Sequence, residues 1–160
     1  MAETQLLSGK AVSAAVYSEL NSRIAVLKEK GITPGLAVIL VGDDPASQVY
    51  VRSKARRFAK MDLYTETFRF GSDLPESDLI EKIRELNDDR NFHGLLVQLP
   101  LPQQISEQKI IEAIDPMKDV DGFHPINLGL MTAGVPRFIS CTPKGILRIL
   151  KQYGIETSGK

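Results

Sequence analysis

Gly35-Leu-Ala-Val-Ile-Leu-Val41 is a run of seven residues without one polar side chain. A strand with one wet face would alternate apolar and polar residues, whereas a strand covered on both faces reads as a continuous apolar run and belongs to a parallel sheet. Parallel neighbours cannot be joined by a hairpin, so the run commits the chain to crossover helices and an α/β layout. The flanking sequence agrees. Leu63 to Phe70 alternates as a second strand, and Gly94-Leu-Leu-Val-Gln-Leu99 forms a third. Between the first two strands, Asp44 is placed to cap a helix with Pro45 at its first position, and the helix runs to Lys60. Pro75 to Asp88, with Leu79, Ile80, Ile83 and Leu86 at helical spacing, supplies the next crossover. Ser8 caps an earlier helix whose apolar positions Val12, Val16, Leu20, Ile24 and Leu27 end at Gly31, and this helix is expected to cover the sheet. Ser106 opens a short helix through Ile114, and Thr142-Pro143 opens one through Tyr153 that Gly154 stops. The expected fold is a mostly parallel sheet with helices on both faces, three layers in the order α/β/α.

Such sheets bind ligands outside the carboxyl ends of their strands. The first strand delivers Gly42 to Lys54 to that edge and the third delivers Gln98-Leu-Pro-Leu-Pro102, so the two segments should face each other. On the Asp44 to Lys60 helix, Ser47, Tyr50, Lys54 and Arg57 recur at i, i+3, i+7 and i+10 and share one side. Pro100 and Pro102 stop the third strand and stiffen its exit, holding Gln98 at the rim. Plainer readings stand beside these. A lysine among Arg52, Arg56, Arg57 and Lys60 also reads as a solvated surface residue, and Gln98 as a strand end bonded to backbone.

Across 160 residues, 20 basic and 20 acidic side chains cancel, which removes any global electrostatic case for nucleic acid or an anionic membrane. Only the basic side of the Arg52 to Lys60 segment leaves a local phosphate or nucleic-acid reading, and no nucleic-acid motif supports it. One cysteine, Cys141, excludes an internal disulfide framework, fits a reducing compartment and carries no paired catalytic signature. The N-terminus lacks a signal pattern and no run approaches membrane-spanning length, so a soluble, cytoplasmic protein is expected, with no membrane partner. Asp115 to Pro125 is a long connection rich in carboxylates and prolines, the kind of loop that carries function. Asp119 and Asp121 raise a metal site, but no further ligands follow at a suitable spacing and none is expected. His93 and His124 read as structural hydrogen-bonders. None of the 12 glycines stand two apart, so the G-x-G-x-x-G fingerprint is absent and no cofactor-binding residue is assigned in this chain.

Four segments together resemble the bifunctional methylenetetrahydrofolate dehydrogenase/methenyltetrahydrofolate cyclohydrolase family, in its N-terminal catalytic domain. They are Val41-Gly-Asp-Asp-Pro-Ala-Ser-Gln-Val-Tyr-Val-Arg-Ser-Lys54, Gly94-Leu-Leu-Val-Gln-Leu-Pro-Leu-Pro102, Asp115-Pro-Met-Lys-Asp-Val-Asp-Gly-Phe-His-Pro-Ile-Asn-Leu-Gly129 and Cys141-Thr-Pro-Lys-Gly145. Ser140 stands where the family usually has proline, and Asp62 replaces a glycine common after the catalytic helix. The resemblance implies that residues 1–150 form the folate-binding catalytic domain and that 151–160 begin the connection to an NADP-binding Rossmann domain, absent here. The chain then reads as the first half of a longer enzyme. The complete enzyme is expected to be a homodimer relying largely on the absent domain, and this half a monomer.

The implied chemistry belongs to one-carbon folate metabolism: oxidation of 5,10-methylene-tetrahydrofolate with NADP, then hydration of the methenyl product to 10-formyl-tetrahydrofolate. Lys54 matches the family's catalytic lysine and would shuttle a proton during hydration, a task favoured by a cationic substrate, nearby arginines and partial burial. Gln98 would orient Lys54 or the attacking water, and Tyr50 would stack on the p-aminobenzoyl part of the folate. Ser47 is placed in the same hydrogen-bond network; by the resemblance Lys54, Gln98 and Tyr50 are the expected catalytic residues, and Tyr50, Ser47, Gln98 and Asp121 the expected substrate-binding ones. Asp121 matches the aspartate that receives the donor edge of the pterin. A folate-binding module without turnover remains the alternative.

Overall fold

The computed structural model of the chain describes residues 4–159; residues 1–3 and 160, at the ends of the two stretches assigned above, lie outside it. Three parallel strands, β1 (Gly35–Val41), β2 (Tyr64–Phe70) and β3 (Gly94–Val97), form a sheet in the order β2-β1-β3. β1 is central and all seven of its residues are buried, as its unbroken apolar run requires. Its side chains split by parity. Ala37, Ile39 and Val41 join Leu79, Ile83 and Leu86 of α3 (Glu76–Asp88) and Ile110 of α4 (Glu107–Ala113) in one core. Leu36, Val38 and Leu40 face the other way, onto Val51 and Phe58 of α2 (Pro45–Lys60). Fully burying each such side chain is worth about 1.5–3 kcal/mol, so β1 fastens both helical layers at once.

Three expectations need correction. The first helix, α1 (Gly9–Glu29), joins neither core cluster; it packs on α6 (Cys141–Gln152) and, through the Tyr17 ring 4.0 Å under the Arg57 guanidinium, on α2. Val51 and Phe58 of α2 already cover that face of the sheet, which leaves α1 the outer place. The third strand ends at Val97, not Leu99: Gln98 still donates to the Ile39 carbonyl at 2.9 Å, but Pro100 has no N–H, and the Leu99 carbonyl is taken by side chains of Ser47 and Gln98. The last helix begins at Cys141 with Ser140 at its N-cap. Pro143 sits at its third position, where the N–H would have had no helical partner.

One helix went unread, α5 (Pro125–Thr132). Its signal was the pair His124-Pro125, a cap and first-turn proline like Asp44-Pro45, with the His124 Nδ1 accepting from Ile126 N at 3.1 Å. His93 Nδ1 likewise accepts from Gly35 N at 3.1 Å, at the start of β1. Both histidines are structural, as expected. Among the described residues no helix is long and apolar enough to cross a membrane.

Candidate active site

α2 leaves the carboxyl end of β1 through Gly42, and the Asp44 carboxylate caps it by accepting from Ser47 N at 2.7 Å. That backbone bond is the chief reason the Asp44 carboxyl lies below the usual carboxylate range. The cap fixes where the following turns point. Ser47, at 2% exposure, faces inward and its hydroxyl donates to the Leu99 carbonyl at 3.3 Å, tying the start of α2 to the exit of β3. Tyr50, at 62% exposure, lies one turn on, followed by half-buried Lys54.

Parity in β3 explains what Lys54 meets. Leu95 and Val97 enter the α3/α4 core, Leu96 faces α2, and Gln98, two residues beyond Leu96, faces α2 as well. The Lys54 ammonium donates to Gln98 Oε1 at 2.9 Å, while Gln98 Nε2 donates to the Leu99 carbonyl at 2.8 Å. Both readings of Gln98 therefore hold at once: a backbone bond pins its amide, and its oxygen is turned toward the lysine. Lys54 forms no ion pair among the described residues, so a neutral group holds it.

The third participant arrives by a route the sequence hid. Leu95 N donates to the Lys118 carbonyl at 2.8 Å, and Leu95 and Asp119 form a parallel bridge that adds a rudimentary fourth strand beside β3. The approach is close: a Cβ on Gly94 would stand 2.4 Å from Val120 Cγ1. Asp121, just past this bridge, reaches the same carboxyl edge. Burial pushes its carboxyl above the usual range, the Lys54 ammonium pulls it back, and Asp119 adds to the rise. The cleft thus holds Lys54, Gln98 and Asp121 together with Tyr50 on its rim.

Other singled-out residues fall elsewhere. Arg57 leaves the stripe to cover Tyr17, and Arg52 turns its Nε to the Gln48 carbonyl of its own helix at 3.2 Å. Asp119 is buried, and its two oxygens are filled by N–H donors from Gly122, Phe123, His124 and Asn127. Cys141 borders the cleft; burial first, and then the Asp121 carboxylate, push its thiol up. The first βα turn is where such a sheet would seat a pyrophosphate, and here the α2 N-terminus is occupied by the carboxylate of Asp44.

Residues 7–121 match the family model described as tetrahydrofolate dehydrogenase/cyclohydrolase, catalytic domain. The bifunctional protein FolD of Streptococcus agalactiae is 50% identical over 158 residues, covering 98% of this chain and 56% of that protein. FolD of Halalkalibacterium halodurans is 52% identical over 155 residues, covering 97% and 56%. The crystal structure of the Campylobacter jejuni FolD enzyme superposes with a TM-score of 0.91 at 46% identity, over 94% of this chain and 54% of the other. That of the Trypanosoma brucei dehydrogenase-cyclohydrolase, complexed with NADP and an inhibitor, gives 0.93 at 31% identity, over 100% and 55%. The chain spans just over half the length of the curated relatives it matches. It belongs to the tetrahydrofolate dehydrogenase/cyclohydrolase family, in the part that forms the catalytic domain.

Proposed function

We propose that this chain is the folate-binding, catalytic half of an NADP-dependent 5,10-methylene-tetrahydrofolate dehydrogenase/5,10-methenyl-tetrahydrofolate cyclohydrolase. The observation that carries the reading is the Lys54 Nζ to Gln98 Oε1 bond at 2.9 Å on the carboxyl edge of the sheet, opposite Asp121. Residues 1–150 form the catalytic domain in this proposal, and 151–160 begin the connection to a dinucleotide-binding domain. NADP belongs to that further domain, and it supplies the hydride acceptor for the oxidation.

Hydration is the step these residues can perform. A water adds through oxygen to the methenyl carbon, and Lys54 takes the proton that the water gives up. The hydroxyl proton of the adduct then passes to N5 as the carbon–N5 bond breaks, leaving the formyl group on N10, and Lys54 returns its own proton to solvent. Lys54 enters this step as the amine, because an ammonium has no lone pair to take the proton and would repel the cationic substrate. Gln98 orients the amine without adding charge. Tyr50 offers an exposed aromatic face for the p-aminobenzoyl ring, and Asp121 an acceptor for the N–H groups of the pterin. Ser47 acts one layer behind, holding the Leu99 carbonyl on which Gln98 rests.

The test is hydration of 5,10-methenyl-tetrahydrofolate, followed as loss of methenyl absorbance above the uncatalysed rate, for the wild-type chain and Lys54→Met. We expect catalysis that disappears in the variant. Equal rates in the two would overturn the assignment of Lys54, and folate binding without any turnover in either would favour the binding-module reading.

A further inference from the structure

Asp121 is presented by a turn that makes no hydrogen bond to its carboxylate, so something else must hold it in place. The buried carboxylate of Asp119 sits inside that turn. Its Oδ1 accepts from Gly122 N at 3.1 Å and Phe123 N at 3.3 Å, and its Oδ2 from His124 N at 2.9 Å and Asn127 Nδ2 at 2.8 Å. Three consecutive backbone amides thus converge on one anion, and the fourth donor comes from α5. We infer that Asp119 is a positioning residue, whose carboxylate shapes the 120–124 turn so that Asp121 faces the ligand; this rests on the reading of Asp121 given above.

The chemistry calls for an acceptor-only group at this place. An asparagine there would keep one acceptor oxygen but set its NH2 against an N–H of the turn or of Asn127. The surroundings show how strongly the acceptor is preferred. Asn127 donates through Nδ2 to the Pro116 carbonyl at 2.9 Å as well as to Asp119, and its own Oδ1 is buried with no partner. Turning that amide over would give its oxygen a new setting but would put oxygen against both Pro116 and Asp119. The fold keeps an orphaned oxygen, itself a cost, in order to keep a donor on the Asp119 carboxylate. At the other end the turn is anchored by the bridge of Asp119 to Leu95 and by Lys118, whose ammonium donates to the Leu86 and Asp89 carbonyls at 2.9 and 2.7 Å. The position of Asp121 is therefore set by buried groups on both sides.

The experiment is a double-mutant cycle of Asp119→Asn and Asp121→Ala in the whole chain, read as the Kd for tetrahydrofolate and as KM and kcat for methenyl hydration, at temperatures where each variant is folded. Asp119→Asn should weaken binding roughly tenfold, about the worth of one hydrogen bond to a charged group, with KM raised and kcat kept because Lys54 and Gln98 are untouched. The double variant should bind no worse than Asp121→Ala alone. A merely structural role predicts the reverse: an unchanged Kd in the folded fraction, or losses that multiply in the double variant, and either result overturns the inference. If Asp121→Ala leaves Kd unchanged, the reading of Asp121 itself falls and this inference falls with it. Should Asp119→Asn fail to fold, Asn127→Ser removes a single donor, and an unchanged Kd there overturns the inference equally.

Discussion

Replacing Gly122 by alanine isolates the contact that closes the cleft from behind. Gly122 has a φ of +70°, and a Cβ there would stand 3.0 Å from Ser140 N, 3.2 Å from the Ile139 carbonyl carbon and 3.4 Å from that of Phe138. Two costs follow. The left-handed conformation penalises any residue with a Cβ by about 1–2 kcal/mol. The collision is separate, because these are backbone atoms of the segment leading into α6 and cannot swing aside as a side-chain tip would; overpacking of this kind typically costs about 1–3 kcal/mol. Gly31→Ala is the internal reference: its φ is +73° and nothing lies within 4 Å of the added methyl, so it pays only the first cost. Loss of unfolded-chain entropy helps both variants alike and cancels in the comparison. We expect Gly122→Ala to be less stable than Gly31→Ala by about 1–3 kcal/mol in equilibrium urea unfolding, at unchanged slope. Near the melting temperature of a domain this size the gap is roughly 2–10 °C. Equal losses in the two variants would refute the argument, since they would mean that the 138–140 segment does not rest on the Asp121-Gly122 turn.

Ser140→Pro should stabilise the chain by about 0.4–1 kcal/mol in the same unfolding assay, because Ser140 has a φ of −48° that proline can adopt and its N–H makes no hydrogen bond among the described residues. Asp121→Asn should raise the melting temperature at neutral pH. With burial holding its folded pKa above the ordinary 3.8, wild-type Asp121 contributes stability that is complete below that value and lost as pH rises through the folded pKa; the asparagine variant escapes that loss. The gain should therefore vanish on acidification below pH 3.8, and a gain that persisted there would count against the burial argument. Asp44→Ala should show the opposite profile, a loss of melting temperature at neutral pH that shrinks as pH falls through the depressed pKa of Asp44, because only the ionised cap is favoured by the Ser47 amide.

What the sequence made legible was local. The apolar run of β1, the Asp44-Pro45 cap and the spacing from Tyr50 to Lys54 each depend on neighbours a few residues away, and each reappears in the structure. The meeting of Lys54 with Gln98 was also readable, because strand parity and helix spacing extend those local rules to the sheet edge. What was missed depended on distant partners. The apolar face of α1 does not say whether a sheet or another helix will receive it, and α6 is the answer only in three dimensions. Asp121 was singled out only through the resemblance, and the part played by Asp119 was not legible, because the four donors that draw it inside come together only in the folded turn and α5. Ser47 shared a helix face with Tyr50, yet the exit of β3 buries it. Asp62 is a smaller case of the same kind: its φ of 52° shows why glycine suits that turn, while an ion pair with Lys28 at 2.6 Å shows how an aspartate is accommodated.

The neutral partner of Lys54 has a consequence for the rhythm of turnover. A carboxylate in place of Gln98 would grip the lysine as an ammonium and slacken when it became an amine, so the side chain would have to be found again in each cycle. An amide oxygen accepts from the nitrogen in either state, and the Leu99 carbonyl keeps that oxygen aimed. In the proposed hydration the proton can then come and go while the nitrogen keeps its hydrogen bond to Gln98.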